Sequence, residues 1–322
     1  MLYEIYAQIT AQNEGEIEAI SNGSLTRDCY TQLKLLSGGM IDEKNLKTAR
    51  SVHKKIVYEC KSYNIFAKYE LERMKSLKLC GSEIGNINKY PPFSFFLQFT
   101  FKLAKPYISK DDEAFYICEN PIRKDKVFKV PMVAGSSWKG NMRWTARQIN
   151  GLNALKPDKP DTAEILRLFG NEKSNEKEFN RGRLNFYPTF FDQISLEIIN
   201  PHDRKTKAGT NPVTIESVPE GTPGDFSLLY IPFDLMGKPL KEIKQQVGED
   251  ISLVYDALRR MMLTYGFSAK KSSGFGTAKS EVEKGVFKMS GYKRGEGEGF
   301  SSLEELKDII NQVKAEVVKN AG

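Results

Sequence analysis

Phe93-Ser94-Phe95-Phe96-Leu97-Gln98-Phe99-Thr100-Phe101 is the stretch on which the fold turns. Its aromatic density predicts a buried strand. Downstream, a loop leads to a helix that starts near Ser136 or Ser137, both good N-caps. Arg183–Phe191 reads as a second strand, with Leu184, Phe186 and Phe190 apolar, and Phe226–Phe233 as a third. Between them, a polar stretch over about 195–223, rich in Pro, Asn, Thr and Gly, predicts a projecting hairpin or loop. Ile251–Tyr265 reads as a helix, with Val254, Leu258, Met261, Met262 and Tyr265 near one face and Gly266 as a left-handed stop. Phe275–Met289 supplies a fourth strand. Strand–helix–strand–strand–helix–strand is the ferredoxin-like, RRM-like order, so the expected class is α+β. A final amphipathic helix is expected over 302–319. Ser302 and Glu305 form a capping-box pattern, with Leu303, Leu306, Ile310, Val313 and Val317 in a stripe behind them.

Upstream of the aromatic strand, residues 1–90 read as a separate, mainly helical basic region, and 91–322 as the core. A strand is predicted at Leu2–Thr10. Ala49, Val52, Ile56 and Cys60 then recur at helical spacing. Lys54, Lys55, Lys61, Lys68, Arg73, Lys75 and Lys78 decorate the other faces. They either grip RNA or form a solvated surface, and the second reading is the stronger. Gly85, Asn86, Asn88 and Pro91-Pro92 read as a linker.

The chain has 322 residues, 40% hydrophobic and 11% aromatic, which suits a soluble globular protein. Its formal net charge of +7 permits an anionic partner without demanding one. No apolar run is long enough to span a bilayer, and no secretory signal is visible at the N-terminus. Cys29, Cys60, Cys80 and Cys118 lie far apart, and His53 and His202 are the only histidines. A zinc site is therefore not expected, and a reducing, cytoplasmic setting is.

Two short basic stretches carry the chemistry. Gly135-Ser136-Ser137-Trp138-Lys139-Gly140 resembles a nucleotide-binding loop only superficially, because Asn141-Met142 follows where Gly-Lys-Ser/Thr is required. An ATPase is thereby disfavoured. What remains is a helix start that offers Ser136, Ser137 and backbone N–H groups, with Lys139, Arg143 and Arg147 one to two turns in. The second stretch, Lys270-Lys271-Ser272-Ser273-Gly274-Phe275-Gly276, combines charge, close backbone approach and a stacking plane. Taken singly, the first is an ordinary capped helix and the second a flexible turn. Taken together on one folded face, they would follow a polyanion, and nucleic acid is the first candidate.

Over about 93–290 the sequence resembles the RAMP superfamily, of the kind that forms the backbone of type III CRISPR effector complexes. The residues that carry the resemblance are Asn120-Pro121-Ile122-Arg123, the run Val130–Arg143, Leu168-Phe169-Gly170, Arg181-Gly182-Arg183-Leu184-Asn185-Phe186, Val218-Pro219-Glu220-Gly221-Thr222 and Ser273-Gly274-Phe275-Gly276. The resemblance implies a RAMP core with a hairpin thumb at about 195–223. It also implies guide RNA (crRNA), complementary target RNA and other CRISPR effector subunits as partners in antiviral defence, with no membrane. Sequence-independent phosphate contacts would fall to Ser136, Ser137, Lys139, Arg143, Lys270, Lys271, Ser272 and Ser273.

In cleaving members of that family an aspartate precedes the Asn/Ser-Pro step. This chain has Glu119 there, one methylene longer, with Asp111, Asp112 and Glu113 as nearby substitutes. They are either catalytic carboxylates of an endoribonuclease or solvated loop acids beside a basic groove. Cleavage would bring Mg2+ as cofactor; without it none is expected. His202, in the predicted hairpin, is either a proton carrier and stacking partner or, more simply, a turn residue. His53 shows no partner in the sequence. Two further readings are a stand-alone endoribonuclease acting on precursor guide RNA and a basic protein-interaction module without RNA affinity.

Overall fold

The aromatic stretch forms β1, Phe95–Leu103, and Phe95, Leu97, Phe99, Phe101 and Leu103 alternate onto one buried face. In the computed structural model the described residues are 14–21, 28–37, 43–59, 61–80, 84–112, 116–118, 120–151, 160–171, 180–200 and 212–319. Leu2–Thr10 and Cys60 lie outside them. The other strands of the main sheet and the hairpin are β2 Leu184–Phe186, β3 Ser195–Ile199, β4 Val213–Ser217, β5 Pro223–Tyr230, β6 Ala278–Met289 and β7 Glu298–Ser302, and two short strands, Met132–Val133 and Thr189–Phe190, pair with each other. The helices are α1 Glu14–Ser21, α2 Cys29–Leu35, α3 Glu43–Lys54, α4 Ser62–Ser76, α5 Gly135–Ile149, α6 Ala163–Phe169, α7 Leu240–Arg260 and α8 Leu303–Lys319.

The main sheet has the order β2-β5-β1-β6-β7, with every neighbouring pair antiparallel. Read in chain order, β1-α5-β2-β5-α7-β6 gives the expected ferredoxin-like arrangement, to which β7 adds an edge. Phe95 pairs with Tyr230 on one side and Met289 on the other, which fixes the register. The aromatic alternation holds the helices to the sheet: the Trp138 ring meets Phe101 at 6.0 Å and Phe226 at 5.1 Å, both edge-on. The tail behaves as its sequence predicts. Ser302 Oγ accepts the Glu305 N–H at 3.1 Å, while the Glu305 carboxylate reaches back to the Ser301 N–H at 2.7 Å. The whole stripe from Leu303 to Val317 is buried.

Several boundaries differ from expectation. The expected second strand is interrupted after Phe186 and resumes at Thr189–Phe190, and the helix expected from Ile251 begins eleven residues earlier, at Leu240. Met1–Leu79 clusters with Pro106–Met132 and Phe190–Thr222, and Cys80–Lys105 with Val133–Thr189 and Pro223–Gly322. The reason lies in particular contacts. Ile84 and Ile87 bury against Phe96 and Leu229. Asn88 donates to the Arg294 carbonyl at 2.7 Å and accepts the Gly291 N–H at 3.2 Å. A segment of linker-like composition is thus docked onto the sheet unit. The N-terminal helices belong with the β3–β4 hairpin because buried polar bonds, described below, join them.

Candidate nucleic-acid interface

Helix α5 begins at Gly135, not at the serines. Ala134 is the N-cap, with φ −67° and ψ 150°, and it supplies no capping side chain. Ser136 and Ser137 therefore sit in the first turn rather than as caps. Packing sets this start. A Cβ on Gly135 would stand 2.5 Å from the Phe186 carbonyl oxygen, so only glycine lets the helix enter so close to β2. Three residues on, Trp138 is fully buried, and its indole N–H donates to Thr189 Oγ1 at 3.0 Å. With Trp138, Met142 and Ala146 turned inward, Ser136 is exposed, and Lys139 and Arg143 are left at the margin between core and solvent.

The second basic segment follows α7, which ends in a wide turn over Met261–Tyr265. Gly266 has φ 74° but ψ 164°, so it is not the left-handed stop expected. Glycine is needed there for another reason: a Cβ would lie 2.6 Å from the Phe275 carbonyl. The loop closes on itself through Phe267 N–H to the Gly276 carbonyl at 2.9 Å. Its tip is a short turn, Lys271–Ser273, ended by Gly274 in the left-handed region. Lys270, Ser272, Ser273 and Gly274 are exposed, and Phe275 is half-buried.

The fold brings the two segments together. Asn141 Nδ2 donates to the Phe267 carbonyl at 3.1 Å, and the Trp138 and Phe267 rings stack obliquely at 4.5 Å. Lys271 Nζ lies 4.5 Å over the Trp144 ring, which itself meets Tyr265 edge-on at 5.1 Å. Burial lowers the Lys271 pKa. Lys139 is lowered too, by burial first and then by the cations Arg143 and Arg181. A half-buried ammonium pressed by neighbouring cations, as Lys139 is, is poised for an anion.

Arg181 and Trp144 are the members that sequence reasoning passed over. In the sequence Arg181-Gly182-Arg183 is a family mark without an assigned contact, and Trp144 lies one turn beyond Gly140. Two of the expected contact residues already have a protein partner. Arg143 donates to Asp161 Oδ2 from Nε at 2.8 Å, and Arg147 is ion-paired to Asp161 Oδ1. The Asp161 side chain is almost wholly buried, so it neutralises much of this pair. Lys139, Lys271 and Arg181 are left as the principal cations of the patch, flanked by exposed Lys270.

The expected catalytic residues fare differently. Glu119, Glu113 and His202 lie outside the described residues. Asp111 is a loop-forming group whose carboxylate accepts the Asp112 N–H at 3.1 Å and the Lys124 N–H at 3.4 Å, while Asp112 is exposed. Among the described residues no group of three or more His, Cys, Asp or Glu side chains could hold a metal ion.

His53 has a partner that the sequence did not reveal. It is buried with Nε2 3.2 Å from Glu216 Oε1, across a sequence separation of 163 residues. Tyr116 OH donates to the same oxygen at 2.5 Å, and Lys124 Nζ donates to Oε2 at 2.5 Å. Burial alone would raise the Glu216 carboxyl, but the Lys124 and His53 groups against it hold its pKa at about 2. Glu216 N–H also donates to the Asn120 carbonyl at 3.1 Å, tying the loop beside Glu119 to β4.

The family model described as RAMPs: RAMP superfamily matches residues 100–279, more than half of the chain. The chain belongs to the RAMP superfamily. Among curated relatives of this RAMP chain, the CRISPR system Cms endoribonuclease Csm3 of Streptococcus thermophilus is 30% identical over 186 residues, 54% of this chain and 80% of that protein. The Csm3 endoribonuclease of Enterococcus italicus is 33% identical over 125 residues, 35% of this chain and 58% of that one. A solved chain of a type III-B Cmr-beta complex bound to cognate target RNA matches 76% of each chain at 18% identity, with a TM-score of 0.45.

Proposed function

We propose that this RAMP chain is a guide-RNA-binding backbone subunit of a type III CRISPR ribonucleoprotein that helps to position complementary target RNA. The observation that carries the reading is the meeting of the α5 start with the 266–276 loop. First-turn amides, Ser136 and exposed Ser272 and Ser273 supply donors for phosphate oxygens. Lys139, Lys271 and Arg181 supply charge, and Trp144 and Phe275 supply planes for stacking. None of these groups reads a base edge specifically, which suits a subunit that leaves sequence reading to base pairing. The relatives named as CRISPR endoribonucleases support the same assignment.

The test is guide-RNA binding by the full chain. Lys139→Gln with Lys271→Gln should weaken binding uniformly across unrelated sequences, and unchanged affinity would reject the reading. Cutting of target RNA is the finer part of the proposal, and it rests on Glu119. Glu119→Gln is expected to abolish cutting while sparing guide affinity. Retained cutting would remove Glu119 from that role. No step is assigned to Mg2+. The stand-alone nuclease reading gains nothing from His53, whose imidazole is buried against Glu216.

A further inference from the structure

The loop that carries Glu119 has no regular ladder to hold it. Its described residues between Tyr116 and Lys124 form no helix or strand, and only Lys124 makes an isolated bridge, to Pro131. The polar groups of the loop go instead to β4, and above all to Glu216. Tyr116 OH donates to Glu216 Oε1 at 2.5 Å, and the Ile122 N–H and Lys124 Nζ donate to Oε2 at 3.2 and 2.5 Å. The Glu216 N–H in turn donates to the Asn120 carbonyl at 3.1 Å, and the Cys118 thiol to the Thr214 carbonyl at 3.8 Å. One β4 residue is therefore bonded to the loop before position 119 and at three places after it. His53, from α3, completes the set at 3.2 Å from Oε1. A carboxylate only accepts, so the His53 Nε2 carries the proton. Helix α3 precedes residues 100–279, the span that matches the family model. The N-terminal helices meet this loop a second time, where the Tyr30 ring of α2 stacks on Tyr116 at 6.4 Å.

We propose that Glu216, with Tyr116 and His53 as its arms, is a positioning residue that fixes the backbone on both sides of Glu119 for the cutting of target RNA. The proposal rests on the reading of Glu119 as the cutting group, and it gives the N-terminal helices a part in that reaction. Glu216, Tyr116 and His53 are all buried, so they act through the loop and not on the RNA. Stability alone does not account for the cluster. Desolvating the buried Glu216–Lys124 pair costs about as much as the attraction gains, and apolar side chains of the same volume would hold the fold as well. What the cluster adds is geometry. A carboxylate has about four acceptor positions, and Tyr116, His53, Ile122 and Lys124 take them all. A fully satisfied buried network of this kind allows one arrangement of the loop. A reacting group displaced by about 1 Å loses on the order of 100-fold in rate, so such a hold matters for chemistry.

The test is single-turnover cutting of target RNA, at saturating target, by the full chain assembled with guide RNA. Each variant is assayed at a temperature where its melting curve shows it folded. Tyr116→Phe with His53→Leu keeps both side chains close in volume and strips Glu216 Oε1 of the two donors named above. Cutting should fall on the order of 100-fold, with affinity for target RNA unchanged. Tyr116→Phe with His53→Gln returns one N–H donor and should recover most of the lost rate. A parental rate in the His53→Leu pair, with Glu119→Gln inactive, would overturn the proposal and leave the cutting reading standing. So would a joint loss of rate and target affinity, or a loss that the His53→Gln pair does not recover, since either assigns the cluster to folding alone. A parent that does not cut, or a Glu119→Gln variant that cuts as the parent does, removes the cutting reading and this proposal together.

Discussion

Lys139 is the residue on which the interface can be read most directly. Its ammonium is half-buried and pressed by Arg143 and Arg181, so the charge of an arriving phosphate would offset both costs. Each of Lys139→Gln and Lys271→Gln is expected to flatten the salt dependence of RNA binding by about 0.7. Two equal slopes for parent and variant would show that neither ammonium meets a phosphate. Asp161 makes the opposite expectation. Its carboxylate holds Arg143 and Arg147, so Asp161→Asn should free both guanidinium groups, tighten RNA binding and steepen its salt slope. The same change should lower the melting temperature, since it unpairs two partly buried cations. The helix start near residue 136 and the turn over 270–276 were legible from local chemistry alone. The role of Asp161 was not, because its partners lie 14 and 18 residues away across a polar stretch with no periodic pattern.

At the scale of elements, two features decide how the sites are held. The first is the entry of α5. Gly135→Ala would put a methyl 2.5 Å from the Phe186 carbonyl and should destabilise the chain by about 1–3 kcal/mol in urea titrations, through forced displacement of the helix. Wild-type stability in that variant would mean the helix start is free to move. The second is the Glu216 cluster, which ties α3 and the Tyr116–Lys124 loop to β4. Glu216→Gln leaves Lys124 buried without its counter-charge and should cost about 3–5 kcal/mol. Its pH dependence has a definite sign. The folded carboxyl is held at about 2, below its ordinary value of 4.5, so the stabilisation is complete above 4.5 and is lost as pH falls toward 2. The gap between parent and Glu216→Gln should therefore close over that window, and a gap independent of acid would assign it to something other than the carboxylate charge. β1, α5, α7 and α8 were readable because period and capping are local signals. The pairing of His53 with Glu216 was not, since nothing in a lysine-rich helix specifies a partner 163 residues away.

For the whole molecule, the ferredoxin-like order matters because of where it delivers two stretches more than a hundred residues apart. The α5 start and the 266–276 loop both leave the same sheet-and-helix unit, and Asn141 bonds directly to Phe267. One strand of RNA laid along that patch would touch both. That the segment around Ile84–Asn88 packs on the sheet unit was not legible for a related reason: glycine, asparagine and proline mark a turn, but they do not say whether the turn docks. The most direct measurement is cross-linking of a guide RNA carrying photoreactive uridines to the full chain, with mass spectrometry of the labelled peptides. The account expects neighbouring nucleotides of one RNA to label both the Ser136–Arg147 and the Tyr265–Phe275 peptides. Labelling of only one of them, or of neither, would contradict it.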